Sequence, residues 1–459
     1  MNEKLITELS EILNSDQILT EEEDLRVYGY DGTAILNEKP ACVIFPENSE
    51  QIQTILTKAN RFEIPVVTRG SGTGLSGGSI PVENGIVICM VRMNRILEVD
   101  EKNMVMEVEP GVLTQQIADQ ATLVGLFYPP DPGSIKISTI GGNIANNSGG
   151  LRGLKYGVTR DYVMALEVVL PDGRILKTGT RCVKDVAGYS LKDLFVGSEG
   201  MLGIITKITL KLIPKPSAKK TMLVLFDSMT EAAEAVSLII ENKIIPCTLE
   251  FLDRVTIECV EEYAGIGLPT DCEAVLLAEV DGHSAEVADT ADQIVSLVRS
   301  KGAREVRIAE SESEALGLAS ARRTAFSALA RLAPTVVLED VTVPRSKLAE
   351  MVQYINDVAT RYNLRVGTFG HMGDGNLHPT FLCDERNEEE MHRVEQAMSL
   401  VFGHAISLDG TITGEHGVGL HKKEYLLEQH PDNIPVMKSI KRSLDPNNIM
   451  NPGKIFDLN

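Results

Sequence analysis

The amino-acid sequence predicts an α+β chain of more than one domain, and three observations carry that reading. At 459 residues the chain is too long for one simple core. Up to about residue 215 it is rich in glycine and in short apolar runs separated by turns. Beyond "LIPKPSAKK" at 212–220, a Pro- and Lys-rich linker, the pattern changes to alternating strands and amphipathic helices. The expected domains are 1–215, 216–410 and a C-terminal segment, 411–459.

In chain order, "MNEKLITELSEILNS" reads as an acidic amphipathic helix. It lacks the basic-then-apolar layout of a signal peptide, so a cytoplasmic protein is expected. Strand-sized runs follow, among them "ACVIFP", "IPVVT", "GIVICMV" and "GMLGIITKITLKLI". They are interrupted by a helix at 49–62 that places Ile52, Ile55, Leu56 and Ala59 on one face. In the second part the strands "TMLVLF", "AVLLAEV", "TVVLEDVTV" and "LRVGTF" alternate with helices near 230–242, 284–300, 346–362 and 386–407. That order suggests an antiparallel sheet covered by helices. The last fifty or so residues return to glycine-rich loops.

Composition narrows the function. A formal charge of −21 argues against nucleic acid and anionic membrane as partners. No apolar run is long enough for a membrane span. The seven cysteines are scattered, odd in number and without a C-x-x-C pair, which speaks against a disulfide framework and an iron–sulfur cluster.

The stretch "RGSGTGLSGGS" holds Gly72, Gly74 and Gly77 in the G-x-G-x-x-G spacing of a nicotinamide-binding fingerprint. That fingerprint requires a helix to begin at the third glycine. Here Pro81 and the run "GIVICMV" leave room only for a strand, so the loop joins strand to strand. Its glycines allow successive backbone N–H groups to form an anion-binding nest, with Arg69, Ser71, Thr73 and Ser79 as added donors; the plain alternative is a flexible hairpin loop. A second stretch, "PPDPGSIKISTIGGNIANNSGGLRGLKYG", and a third, "DLFVGSEGMLGIIT", offer small polar residues suited to a large polar cofactor.

These three segments, in this order, resemble the vanillyl-alcohol oxidase / p-cresol methylhydroxylase flavoprotein superfamily. Within it they are similar to the group of glycolate oxidase catalytic subunits, D-lactate dehydrogenases and D-2-hydroxyglutarate dehydrogenases. The resemblance implies a two-lobed FAD-binding domain, to which the C-terminal segment returns, plus an α+β cap domain carrying the metal histidines. It implies that Arg69, Gly70, Ser71, Gly72, Thr73, Gly77, Gly78 and Ser79 cradle the FAD pyrophosphate. Pro130, Asp131, Ser138, Gly141, Gly142, Asn146, Ser148 and Gly149 would border the flavin. Glu199, Gly200 and Ile204 would line the adenosine end, and Asn451 joins the cofactor set. With no histidine before His283, FAD is expected to be bound non-covalently there.

All but one of the eight histidines follow residue 370, three of them in "GHMGDGNLH" and "TGEHGVG". Two histidines and a carboxylate on glycine-rich loops suit a catalytic metal site for zinc, iron or manganese. The resemblance assigns His371, His378 and Glu415 as ligands and His416 as general base. Glu415 and His416 are expected to project in different directions, one to metal and one to substrate. A divalent ion would lower the pKa of a substrate hydroxyl, and His416 would take its proton while a hydride leaves for flavin N5.

"LASARRTAFSAL" puts Arg322 where the resemblance places a substrate-binding arginine, with Arg323 as a solvated neighbour. The tryptophan that commonly precedes this arginine is missing. Leu338, Glu339 and Asp340 stand where the 2-hydroxyglutarate branch has a lysine. A short D-2-hydroxy acid is therefore expected, D-lactate before glycolate, with D-2-hydroxyglutarate or another D-2-hydroxy acid as alternative. An electron-transferring flavoprotein or an iron–sulfur subunit is expected to take the electrons. A metal hydrolase and a silent flavin-bearing subunit are the remote alternatives.

Overall fold

The computed structural model describes residues 2–458, and the chain forms two compact units. The first contains the chain up to Ser148, Val158–Lys215, and everything from Glu415 onward. Its four-stranded sheet has the order Ile18–Leu19, Cys42–Ile44, Ile86–Cys89, Val66–Arg69. The last two strands are parallel neighbours, with Val66 opposite Ile86. These strands are apolar at every second and nearly every intervening position because both sheet faces are covered. Cys42, Ile44, Val66, Ile86 and Ile88 pack on one side against Leu5, Leu9, Ile52, Ile55, Leu56 and Ala59, while Val43, Val67 and Val87 pack on the other.

Helix Ser49–Phe62 has the bounds its pattern predicts. Asn48 caps its start by accepting from the Gln51 N–H, and Glu63 ends it in the left-handed region at φ 52°. Its four inward residues are all fully buried, and each isoleucine or leucine contributes about 1.5–3 kcal/mol of burial free energy. A second, five-stranded antiparallel sheet runs Ile96–Asp100, Val105–Val108, Ile204–Lys211, Val163–Val169, Ile175–Gly179.

The C-terminal segment is fastened to the first sheet: Val66 donates to Ile449 O and Asn451 donates to Val66 O. It is less loop-like than its glycines suggest, because Asn433–Leu444 is a helix with Pro435 in its first turn, where a missing N–H costs nothing. From this helix the buried Lys441 ammonium donates to Met201 O, Met450 O and Asp445.

The second unit contains Gly149–Gly157 and Pro216–Gly414. Its eight-stranded sheet follows the main path Glu305–Ile308, Ala218–Phe226, Ala274–Gly282, Thr248–Asp253, Arg365–Gly370, Asn376–Cys383, Thr335–Leu338, and Val341–Thr342 pairs off that path with Asn376–Cys383. Every pairing is antiparallel. Helices Arg254–Ala264 and Glu312–Leu329 pack Ile257, Val260, Ala321, Ala325 and Leu329 against Leu225, Leu252, Val275 and Leu277. The short segment Gly149–Gly157 is clamped inside this unit by Asp281, which receives the Lys155 ammonium at 2.6 Å and the Tyr156 hydroxyl at 2.7 Å.

Candidate active site

In the first unit the glycine loop 70–85 connects the parallel strands Val66–Arg69 and Ile86–Cys89 without any helix. It is therefore a crossover and not a hairpin, since adjacent parallel strands need a long connection. Gly72 and Gly77 take φ 75° and 76°. A Cβ on Gly72 would come within 1.7 Å of Arg69 Nη2, so glycine is required there twice over.

The side chains expected to be added donors brace the loop from within. Arg69 is buried, and its Nη1 donates to Tyr28 O and Tyr30 O. Ser71 Oγ donates to Ile137 O, Ser76 Oγ to Gly417 O, and Ser79 Oγ to Asp31 at 3.3 Å. Thr33 Oγ1 accepts the Gly77 N–H. Among the described residues, no protein acceptor meets the backbone N–H groups from Ser71 through Ser76. That run of backbone donors in a positive-φ loop fits a pyrophosphate. Beside Gly200, the buried atoms Thr68 Oγ1 and Asn451 Oδ1 also have no hydrogen-bond partner, as a site for a polar cofactor requires.

The rest of the expected cofactor set lies in several places. Pro130, Asp131 and Ser138 are buried, Asn146 and Ser148 half-buried, Gly142 exposed. Ser138 joins Thr114 and Asn143 in a buried knot, with Asn143 Nδ2 donating to Thr114 Oγ1 at 2.6 Å. Gly149 belongs to the second unit. Ile204 packs in the core of the first. Glu199 is fully engaged: its carboxylate accepts the N–H groups of Val418 at 2.7 Å and Gly419 at 2.8 Å. Burial pushes its carboxyl pKa up, against those two N–H groups and the nearby Lys454 and Lys422. Asn451 Nδ2 donates to Glu199 O and Gly78 O.

The loop after Glu415 is thus bolted to the glycine loop within the first unit. Ser76 O accepts from Leu420 and His421, and Glu199 holds Val418 and Gly419 as described. His416, on this loop, is largely buried, with Nε2 at 3.9 Å from Glu415 Oε1. The tips of the two neighbours therefore lie close together, contrary to the expected divergence.

In the second unit His371 and His378 belong to a strand-to-strand hairpin and not to glycine-rich loops throughout. His371 follows strand Arg365–Gly370 and precedes the tight turn Met372–Asp374, and His378 lies within strand Asn376–Cys383, opposite Phe369. Gly375 makes the turn at φ 92°. The two imidazoles stand edge to face, 5.3 Å between centroids. Glu415 follows Gly414 of this unit directly in the chain, and Gly414 is held by donating its N–H to Asp340 at 2.9 Å. One potential ligand atom from each of His371, His378 and Glu415 lies within 4.8 Å of the other two. Two imidazole nitrogens and one carboxylate oxygen are a donor set that fits zinc, iron or manganese with positions left open.

Arg322, on helix Glu312–Leu329, is buried against this hairpin. Its Nε donates to Glu250 at 2.5 Å, its Nη2 lies 3.4 Å from His371 Nε2, and its guanidinium covers the Phe369 ring at 4.6 Å. Arg323 is half-buried. Glu250 also contacts His371 Nδ1 at 2.7 and 2.9 Å. Asp340, fully buried, accepts from Asn376, Thr413 and Gly414.

Sequence reasoning passed over Glu250 altogether and weighed Asp340 only for substrate choice, not as an anchor of the site. Each is an acid inside an apolar run, "CTLEFLD" and "VVLEDVTV"; a buried charge must have partners, and that was the available signal.

Comparison with known proteins agrees with this anatomy. Residues 40–179 match the family described as "FAD binding domain", and residues 215–455 match "FAD linked oxidases, C-terminal domain". The chain is 54% identical to the glycolate oxidase subunit GlcD of Bacillus subtilis, over 94% of this chain and 92% of that protein. It is 36% identical to a D-lactate dehydrogenase of Anaerostipes hadrus, over 96% of this chain and 94% of that one. Among solved structures, p-cresol methylhydroxylase with substrate bound superposes with a TM-score of 0.84 at 18% identity, covering 100% of this chain and 97% of its own. The glycine loop without a helix, the orphaned polar atoms beside Gly200 and the full-length matches point one way: the chain is an FAD-linked oxidoreductase and belongs to the FAD-linked oxidase family, with a p-cresol methylhydroxylase-type fold.

Proposed function

We propose that this enzyme oxidises a short D-2-hydroxy acid to the 2-oxo acid, D-lactate first and glycolate second. The observation that carries the reading is the gathering of His371, His378 and Glu415 next to the buried Arg322. A metal-type donor set beside a guanidinium matches a substrate with a hydroxyl next to a carboxylate.

Bound FAD supplies the hydride acceptor at N5, and a divalent ion held by His371, His378 and Glu415 supplies Lewis acidity toward the hydroxyl. Arg322 receives the substrate carboxylate and orients it by charge-assisted hydrogen bonds. His416 takes the hydroxyl proton on Nε2, the ring nitrogen facing Glu415, as the α-carbon gives up its hydride. Non-covalent FAD binding rests on the backbone donors of the glycine loop. The two electrons then pass to a partner protein, an electron-transferring flavoprotein or an iron–sulfur subunit. Glu339 and Asp340 are buried acids, which disfavours a substrate with a second, distal carboxylate. Among the described residues no helix is long and apolar enough to cross a membrane.

The test is anaerobic bleaching of the flavin by a panel of D- and L-2-hydroxy acids, with and without chelator. Bleaching by D-lactate that the chelator abolishes and added metal restores is the expected result. Equal bleaching by the L-acids, or none by any member, would overturn the reading.

A further inference from the structure

We propose that Glu250 is the positioning residue of the site, a single carboxylate that fixes both the metal ligand His371 and the substrate arginine Arg322. The proposal rests on the functional reading above and deepens it. Glu250 stands on strand Thr248–Asp253, whose next residue Phe251 faces Gly370 in the adjoining strand. It is 1% exposed. Such a carboxylate is stable only with donors around it, and the structure gives it Nε of Arg322 and Nδ1 of His371.

Each contact has a consequence at the reacting end. A carboxylate accepts but cannot donate. His371 must therefore carry its proton on Nδ1 toward Glu250, leaving the Nε2 lone pair for a metal, the arrangement by which outer carboxylates orient ligand imidazoles. Arg322 is gripped through Nε, its Nη2 stands 3.4 Å from His371 Nε2, and Phe369 under the guanidinium fixes its plane. A 2-hydroxy acid has its hydroxyl and carboxylate on adjacent carbons. The distance between the group that binds one and the group that binds the other is then set by a shared anchor and not by two independent side chains.

The flavin-loaded wild type and Glu250→Gln are compared by two readouts. Zn²⁺ affinity is measured by competition with a chromophoric chelator, and KM for D-lactate by anaerobic flavin reduction at saturating Zn²⁺. A glutamine can accept from only one of the two donors and turns its NH₂ on the other. The expected result is joint loss: Zn²⁺ binding weaker by about 10–100-fold and KM raised by roughly ten-fold or more. Loss in one readout with the other unchanged overturns the shared anchor. Because the variant could misfold, ¹⁵N shifts of His371 are read in the wild type, with His371→Gln for assignment. A proton on Nδ1 supports the proposal, and a proton on Nε2 overturns it. Zn²⁺ affinity and tautomer do not depend on the substrate, so a wild type inert to D-lactate would sink the functional reading while these two readouts still test the hold of Glu250 on His371.

Discussion

Glu199→Gln separates two jobs for one residue. The resemblance to flavoproteins implies that Glu199 lines the adenosine end of FAD, whereas the structure has its two oxygens holding Val418 and Gly419, next to His416. Glutamine retains one acceptor and presents an NH₂ to the other backbone N–H. One charge-assisted hydrogen bond is lost, about 1.5–3 kcal/mol, and the opposing donor is left buried. Lys454, buried and drawn toward charge by Glu199, loses that carboxylate as well. The loop 417–419 should shift away from the glycine loop and carry His416 with it. A displacement of about 1 Å in a catalytic group can cost on the order of 100-fold in rate. The assay is anaerobic stopped-flow flavin reduction by saturating D-lactate, with FAD affinity measured on the same preparation. The reduction rate should fall by roughly 10–100-fold while most FAD stays bound. Loss of FAD with a wild-type rate for the flavin that remains would refute the reasoning and return Glu199 to the cofactor.

Three further outcomes are expected. Gly72→Ala places a methyl group against Arg69 Nη2 at φ 75°, so Arg69 must release the carbonyls of Tyr28 and Tyr30; FAD titration should show affinity weakened by at least about ten-fold. Asp281→Asn removes the clamp on Lys155 and Tyr156, and hydrogen exchange in 149–157 should accelerate while exchange in Ser49–Phe62 does not change. Burial lowers the Lys454 pKa to about 8 from an ordinary 10.5. The folded state then releases this proton before the unfolded chain does, so its contribution to stability is lowest below pH 8 and rises from there to about 10.5. Relative to Lys454→Met, wild-type apoprotein should gain up to roughly 3 kcal/mol across that window in urea unfolding; a flat difference would contradict it.

Local pattern was enough where local physics decides. Ser49–Phe62 announces itself by spacing and cap, and Pro81 rules out the helix that a nicotinamide fingerprint needs. The hairpin of His371 and His378 was harder, because Gly373, Gly375 and Pro379 read as loop. Pro379 is tolerated within strand Asn376–Cys383, although proline usually marks a strand's edge or end. The helix Asn433–Leu444 was hidden the same way, by Pro435 and by the proline-bearing flanks "QHPD" and "DPNN". The buried anchors were illegible for a different reason. Glu250 meets Arg322 and His371 across 72 and 121 residues of sequence, and Asp340 reaches Gly414 across 74. No window of periodicity spans such distances.

Those anchors share one logic. Asp340 holds the backbone N–H of Gly414, just before Glu415, within the second unit. Glu199 holds the N–H groups of Val418 and Gly419, just after His416, within the first. The ligand and the base are adjacent residues on a glycine-rich stretch that has no regular structure of its own to fix them. A backbone of that kind retains conformational freedom unless its N–H groups are held, and a buried carboxylate is the strongest acceptor a side chain offers. The two buried acids on either side remove the freedom that the stretch bearing Glu415 and His416 would otherwise keep. The net charge of −21 gives no hint of this, since the acids that matter lie inside, where each has a donor assigned to it.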